Sequence, residues 1–204
     1  MIEEIIPGNK TRFNIVKAIY ENPDINLSSL IRKVRASPNL VLDYTNKLSS
    51  YGVISEKNIG GKKKIHIKNL RPNFNTSIGK LIYSVMEIDK RILFFEKYKK
   101  LKPYFEQLNN IIRDKTDFVI IYGSYSRYSA TKESDIDLLI VGDFSNEDVK
   151  RIKEVFVSLD VEPSLKIEKF SNFLSNRDKP LYKNIIREHI IISGEFKFIS
   201  ILEE

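Results

Sequence analysis

Gly123-Ser124-Tyr125-Ser126-Arg127-Tyr128-Ser129-Ala130-Thr131-Lys132-Glu133-Ser134-Asp135-Ile136-Asp137-Leu138-Leu139-Ile140-Val141 is the stretch on which the chain turns. The apolar run Phe118–Tyr122 before it predicts a buried strand that ends in a tight Gly-Ser turn. From Ser134 to Val141 a second strand is expected, and its alternation puts Asp135 and Asp137 on one face. Two carboxylates on a rigid strand can hold one or two Mg²⁺, an ion that keeps sites for water and phosphate oxygens. Gly123 lets backbone come close to a phosphate, and Ser124 with its neighbouring N–H groups can hydrogen-bond one at the start of a following helix.

The composition agrees with such a site and excludes others. There is no cysteine, and His66 and His189 are far apart, so disulfides, thiolate nucleophiles and a zinc cage are excluded and any metal is expected on oxygen. No apolar run approaches the roughly 18 residues that a membrane span needs. The opening MIEEIIPGNK lacks the basic and apolar regions of a secretory signal, so a cytoplasmic protein without membrane partners is expected.

Charge is uneven along the 204 residues. The formal net charge is +7, and residues 1–70 hold 12 Lys/Arg against 6 Asp/Glu, leaving 22 against 21 for the rest. A basic N-terminal module beside a near-neutral one points to a polyanion as partner of the first. Periodicity predicts three helices there, over Thr11–Tyr20, Leu27–Val34 and from Pro38 to Tyr51, the last opened by a Ser37 cap and Pro38. Strands at Val53–Lys57 and Lys64–Lys68 flank the loop Asn58-Ile-Gly-Gly-Lys-Lys. Arg71–Asn75 reads as a linker, followed by a connecting helix of about 26 residues to Lys102 and a further helix over Tyr104–Arg113.

The order of elements over the first 70 residues resembles a winged helix-turn-helix domain. That resemblance implies that Pro38–Tyr51 is the recognition helix and that the wing tip carries Lys62, Lys63 and Lys64. Three clustered lysines suit phosphates of duplex DNA, and Asn46 on the third helix suits an adenine edge. An exposed Leu42 fits a dimerisation or docking platform instead.

The string from Gly123 to Val141, Gly-Ser, ten residues, Asp-any-Asp, resembles the signature of small prokaryotic nucleotidyltransferases of the DNA polymerase beta superfamily. The resemblance implies that Asp135 and Asp137 bind catalytic Mg²⁺, that Gly123 and Ser124 cradle a nucleoside triphosphate such as ATP, and that Arg127 steadies the turn or reaches phosphate. It also implies a third carboxylate on a later strand. After a helix over Asn146–Phe156, the strand expected at Leu159–Ile167 offers Asp160 and Glu162, of which Glu162 lies nearer the middle. Where these small members usually carry glycine after the arginine, this chain has Tyr128. Beyond it, two helices and a closing strand at Ile190–Ile192 look like core, with His189 structural.

The expected fold is α+β: a winged helix-turn-helix over 1–70, a linker and connecting helix over 71–102, and an α/β nucleotidyltransferase domain with a mixed sheet over 103–204. The expected function is Mg²⁺-dependent transfer of a nucleoside monophosphate from an NTP to a hydroxyl acceptor, with DNA binding at the N-terminus. The sequence leaves the acceptor open among a protein side chain, a nucleic-acid end and a small molecule, and the resemblance favours a protein. The oligomeric state stays open, a dimer among the options. The alternative is a DNA-binding regulator whose nucleotidyltransferase domain is a nucleotide sensor or inactive.

Overall fold

The computed structural model describes residues 8–59, 67–157, 159 and 163–202. The chain divides into two compact units, residues 1–86 with 199–204, and residues 87–198.

In the first unit, short polar caps start each helix where the sequence places them. Helix α1 (Lys10–Glu21) begins at Asn9, whose side chain accepts from the Arg12 N–H, and α2 (Leu27–Val34) begins at Asn26 in the same way. Helix α3 (Pro38–Ser50) has Ser37 as N-cap and Pro38 in its first turn. Strand β1 (Ile25–Asn26) pairs with β3 (Ile67–Pro72), and β3 pairs with β2 (Ile54–Ile59), all antiparallel. Ile15, Val16, Ile19, Leu30, Val41, Leu48 and Val53 fill the core. Arg71 of β3 forms a two-pronged ion pair with Asp24, which holds a left-handed backbone (φ 71°) before β1.

One expectation needs correction here, and one short strand was not foreseen. Arg71 and Pro72 belong to a strand rather than a linker, because both pair with β2, Arg71 opposite Ser55 and Pro72, at the strand's end, opposite Ile54. The two-residue β1 is too short to show any period. Lys62, Lys63 and Lys64 lie outside the described residues, as do Asp160 and Glu162.

Helix α4 (Ser77–Lys97) is shorter than the expected 26 residues: a 3-10 turn at Lys99–Leu101 separates it from α5 (Lys102–Ile112), which has Pro103 in its first turn. Ile82, Tyr83 and Met86 complete the first core, while Phe94 belongs to the second. Tyr83 stacks on Tyr20, meets Phe74 edge-on and donates its hydroxyl to the Val53 carbonyl at 3.0 Å.

The second unit is a four-stranded mixed sheet in the order β6-β5-β4-β7, made of β4 (Thr116–Tyr122), β5 (Ile136–Gly142), β6 (Pro163–Glu168) and β7 (Ile190–Ser193). Strand β5 runs antiparallel to β4 and parallel to β6, and β7 is antiparallel to β4. One core joins Val119, Ile121, Leu138 and Ile140 to α5 and to α7 (Asn146–Val155) through Phe105, Leu108 and Ile152. On the alternate positions Phe118 meets Phe170 and Phe173 of α8 (Phe170–Asn176) and Phe198 of α10 (Glu195–Ser200), and Tyr182 of α9 (Pro180–Arg187) packs on Phe173. Both faces of the sheet are therefore covered, which is why β4 and β5 read as continuous apolar runs.

Two charged groups are anchored inside this unit. Hydrogen bonds from Lys115, then from the Ser145 hydroxyl and N–H, hold the Asp148 carboxyl down at about 2. Glu87 is fully buried, 2.9 Å from Lys90 and 3.3 Å from His189, whose other ring nitrogen lies 3.1 Å from the Ile185 carbonyl. His189 is thus a packed core residue, as the sequence implied.

Because the Val53 carbonyl also accepts from the Asn73 N–H, Tyr83→Phe leaves no orphaned acceptor. The variant is expected to lose about 1 kcal/mol in urea unfolding of the full chain. Unchanged stability would show that the Tyr83 hydroxyl contributes nothing.

Candidate active site

Four chain segments meet at one end of the mixed sheet: the C-terminus of β4, and the N-termini of β5, β6 and β7. Strand β4 ends at Tyr122, the partner of Asp137, and the chain turns at once through Gly123 into the single helical turn α6 (Gly123–Ser126). The expected phosphate-binding helix is thus only one turn long. It is held by Ser126, whose hydroxyl donates to the Gly123 and Glu188 carbonyls, and by the Ser129 N–H bonded to the Ser124 carbonyl.

Gly123 has φ 71°, in the left-handed region that suits glycine, and a Cβ there would stand 2.1 Å from Asp137 Oδ2. No other residue lets the turn and this carboxylate meet. Asp137 is the second residue of β5 and half-buried, whereas Asp135 precedes the strand and is exposed. Burial, and then the charge of Asp135, push the Asp137 carboxyl above the usual range; the Ser164 hydroxyl and the Arg127 charge pull it back. The same neighbourhood raises the Tyr122 hydroxyl, through burial first and the Asp137 charge second. Two like charges held in this way form a natural seat for a cation with oxygen ligands.

Arg127 ends the turn and lies 3.4 Å from Glu188. Tyr128 has φ 58°, the backbone that a glycine would supply, at a cost of roughly 1–2 kcal/mol for a side-chain-bearing residue. It is retained by the end of α4 and the residue after it: Lys97 donates to its carbonyl at 3.0 Å while sitting 5.1 Å from the ring centre, and its ring stacks on Tyr98. The ring is thereby packed against α4.

The site thus gathers Gly123, Ser124, Arg127, Asp135 and Asp137. Among the described residues no group of three His, Cys, Asp or Glu could hold a metal. Asn46 is exposed on α3, as is Leu42. Sequence reasoning missed Ser164, the partner of Asp137 on β6, together with Glu188 and Lys97. Only Ser164 left a trace in the sequence, as the residue two after Glu162 on the expected strand.

The raised Asp137 carboxyl has a consequence for stability. A carboxyl whose folded pKa exceeds its unfolded one favours folding when protonated, and that contribution is lost as pH rises through the folded value. At neutral pH, without metal, ionised Asp137 is therefore a burden on the fold. Asp137→Asn is expected to raise the melting temperature of the metal-free chain at pH 7, and the gain is expected to vanish in acid. A lower melting temperature at pH 7 would contradict this account.

Comparison with known proteins agrees with the geometry. Residues 99–196 match the family model described as polymerase beta, nucleotidyltransferase, and residues 9–55 match the one described as winged helix-turn-helix DNA-binding. Two proteins of Methanocaldococcus jannaschii, provisionally named protein adenylyltransferases, are similar in part. One is 44% identical over 45 residues, 22% of this chain and 45% of that protein; the other is 42% identical over 41 residues, 20% of this chain and 41% of that protein. The chain spans less than half the length of either relative. Residues 99–196 therefore carry a polymerase beta nucleotidyltransferase domain, and residues 9–55 a winged helix-turn-helix domain.

Proposed function

We propose that this chain transfers a nucleoside monophosphate, adenylate in the first instance, from an NTP to a hydroxyl of a protein. The observation that carries the proposal is the meeting of Gly123 and Asp137, which sets the Gly-Ser turn against a carboxylate pair. The turn's N–H groups and the Ser124 hydroxyl hold the triphosphate, and Arg127 steadies the turn from Glu188. Asp135 and Asp137 hold Mg²⁺, which when bound neutralises charge on the transferred phosphoryl group and the departing pyrophosphate. Glu162 is assigned the proton of the attacking hydroxyl. The names of the two archaeal relatives support a protein acceptor. The lack of cysteine and of any described helix long and apolar enough to cross a membrane accords with work in the cytoplasm.

A second reading, a DNA-binding regulator that senses a nucleotide without turning it over, is favoured by one observation: the β6 residue opposite Asp137 is Ser164 rather than a carboxylate. Incubating the full chain with Mg²⁺, α-labelled ATP and cell lysate separates the two. Transfer predicts label on protein and release of pyrophosphate, reduced about a thousandfold by Asp135→Asn or Asp137→Asn. Glu162→Gln is expected to slow turnover far more than Asp160→Asn. Label transfer by the Asp135→Asn, Asp137→Asn double variant would refute the site.

For the N-terminal domain we infer contact with duplex DNA through Lys62, Lys63 and Lys64, with Asn46 reading a base edge. Replacing the three lysines with alanine is expected to lower the salt slope of full-chain binding to random duplex by about 3, since each phosphate contact contributes about 0.9. An unchanged slope would leave this module as a docking or dimerisation element.

A further inference from the structure

Strand β6 lies beside β5 in parallel register, with Ser164 opposite Asp137, Lys166 opposite Leu139 and Glu168 opposite Val141. Leu165 and Ile167, the intervening residues, pack into the core that holds Leu138 and Ile140. Alternation along the strand therefore puts Ser164, Lys166 and Glu168 on the face of Asp137. Glu168 is engaged elsewhere, accepting from the Tyr182 hydroxyl at 2.8 Å, and Lys166 is a cation 3.9 Å from it. Paired strands run about 4.8 Å apart, so a serine hydroxyl opposite an aspartate is within reach of its carboxylate. Oδ2 of the same carboxylate lies hard against Gly123.

From this arrangement we propose that Ser164 is a positioning residue for Asp137: its hydroxyl and the Gly123 turn fix the carboxylate between them, and β6 adds orientation but no charge to the cation site. This rests on the nucleotidyltransferase reading and deepens it. A hydroxyl donating to a metal-binding carboxylate belongs to the outer shell that tunes affinity, where a lost contact costs about 10- to 100-fold. Ser164→Ala keeps both carboxylates and loses the donor. Ser164→Thr keeps the donor and suits a strand. Ser164→Asp supplies a third carboxylate.

The test is Mn²⁺ binding to the full chain without nucleotide, followed by electron paramagnetic resonance, with melting curves to verify folding. Wild type and Ser164→Thr are expected to bind alike, Ser164→Ala about tenfold more weakly and Ser164→Asp about tenfold more tightly. Asp137→Asn is the reference for the site itself. If Asp137→Asn abolishes binding while folded Ser164→Ala binds like wild type, the positioning role is overturned and the cation site stands. If Asp137→Asn also binds like wild type, the cation site falls and the role of Ser164 with it. A Ser164→Thr variant as weak as Ser164→Ala would likewise overturn the role, since the hydroxyl would then not be the cause.

Discussion

The contact between Gly123 and Asp137 is the constraint on which the site depends. A backbone at positive φ with no side chain lets the strand-ending turn close onto a half-buried carboxylate, and an added Cβ would stand 2.1 Å from that carboxylate's oxygen. The sheet exists in a form that serves this contact. Phe118–Ile121 of β4 and Leu138–Val141 of β5 are apolar and fully buried, so the two backbones are rigid next to where they present Tyr122 and Asp137. A site on such elements holds geometry better than one on loops.

The same arrangement carries a cost that the fold bears. Burial, and then the charge of Asp135, act against ionised Asp137, and Tyr128 keeps a backbone that glycine would hold without strain. Each is compensated nearby: by Ser164 and Arg127 for the carboxylate, and by Lys97 and the Tyr98 ring for the tyrosine. Strain that neighbouring structure over-determines is commonly found at sites that bind or react.

Much of this was legible in the sequence because it is local. Gly-Ser and Asp-any-Asp lie within 15 residues, and the start of α3 is written in the Ser37 side chain that caps it and in Pro38. What escaped depends on distant pairing. Ser164 matters only through parallel register with Asp137, 27 positions earlier, and β3 extends to Pro72 because β2 pairs with it there. Helix α4 stops at Lys97 although its apolar period continues, because the chain turns at Lys99–Leu101 before Pro103 opens α5. The short α10 and β1 carry too few residues for any period to declare itself.

The central claim is that Asp135 and Asp137 jointly seat a cation against the triphosphate held by the Gly123–Ser126 turn. The most direct measurement is a crystal structure of the full chain with Mn²⁺ and a non-hydrolysable ATP analogue, read by anomalous scattering. The account predicts a peak about 2.1 Å from oxygens of both aspartates and of the nucleotide's phosphates, with the turn's N–H groups on the triphosphate. A nucleotide bound elsewhere on the chain, or a cation that touches neither carboxylate, would contradict it.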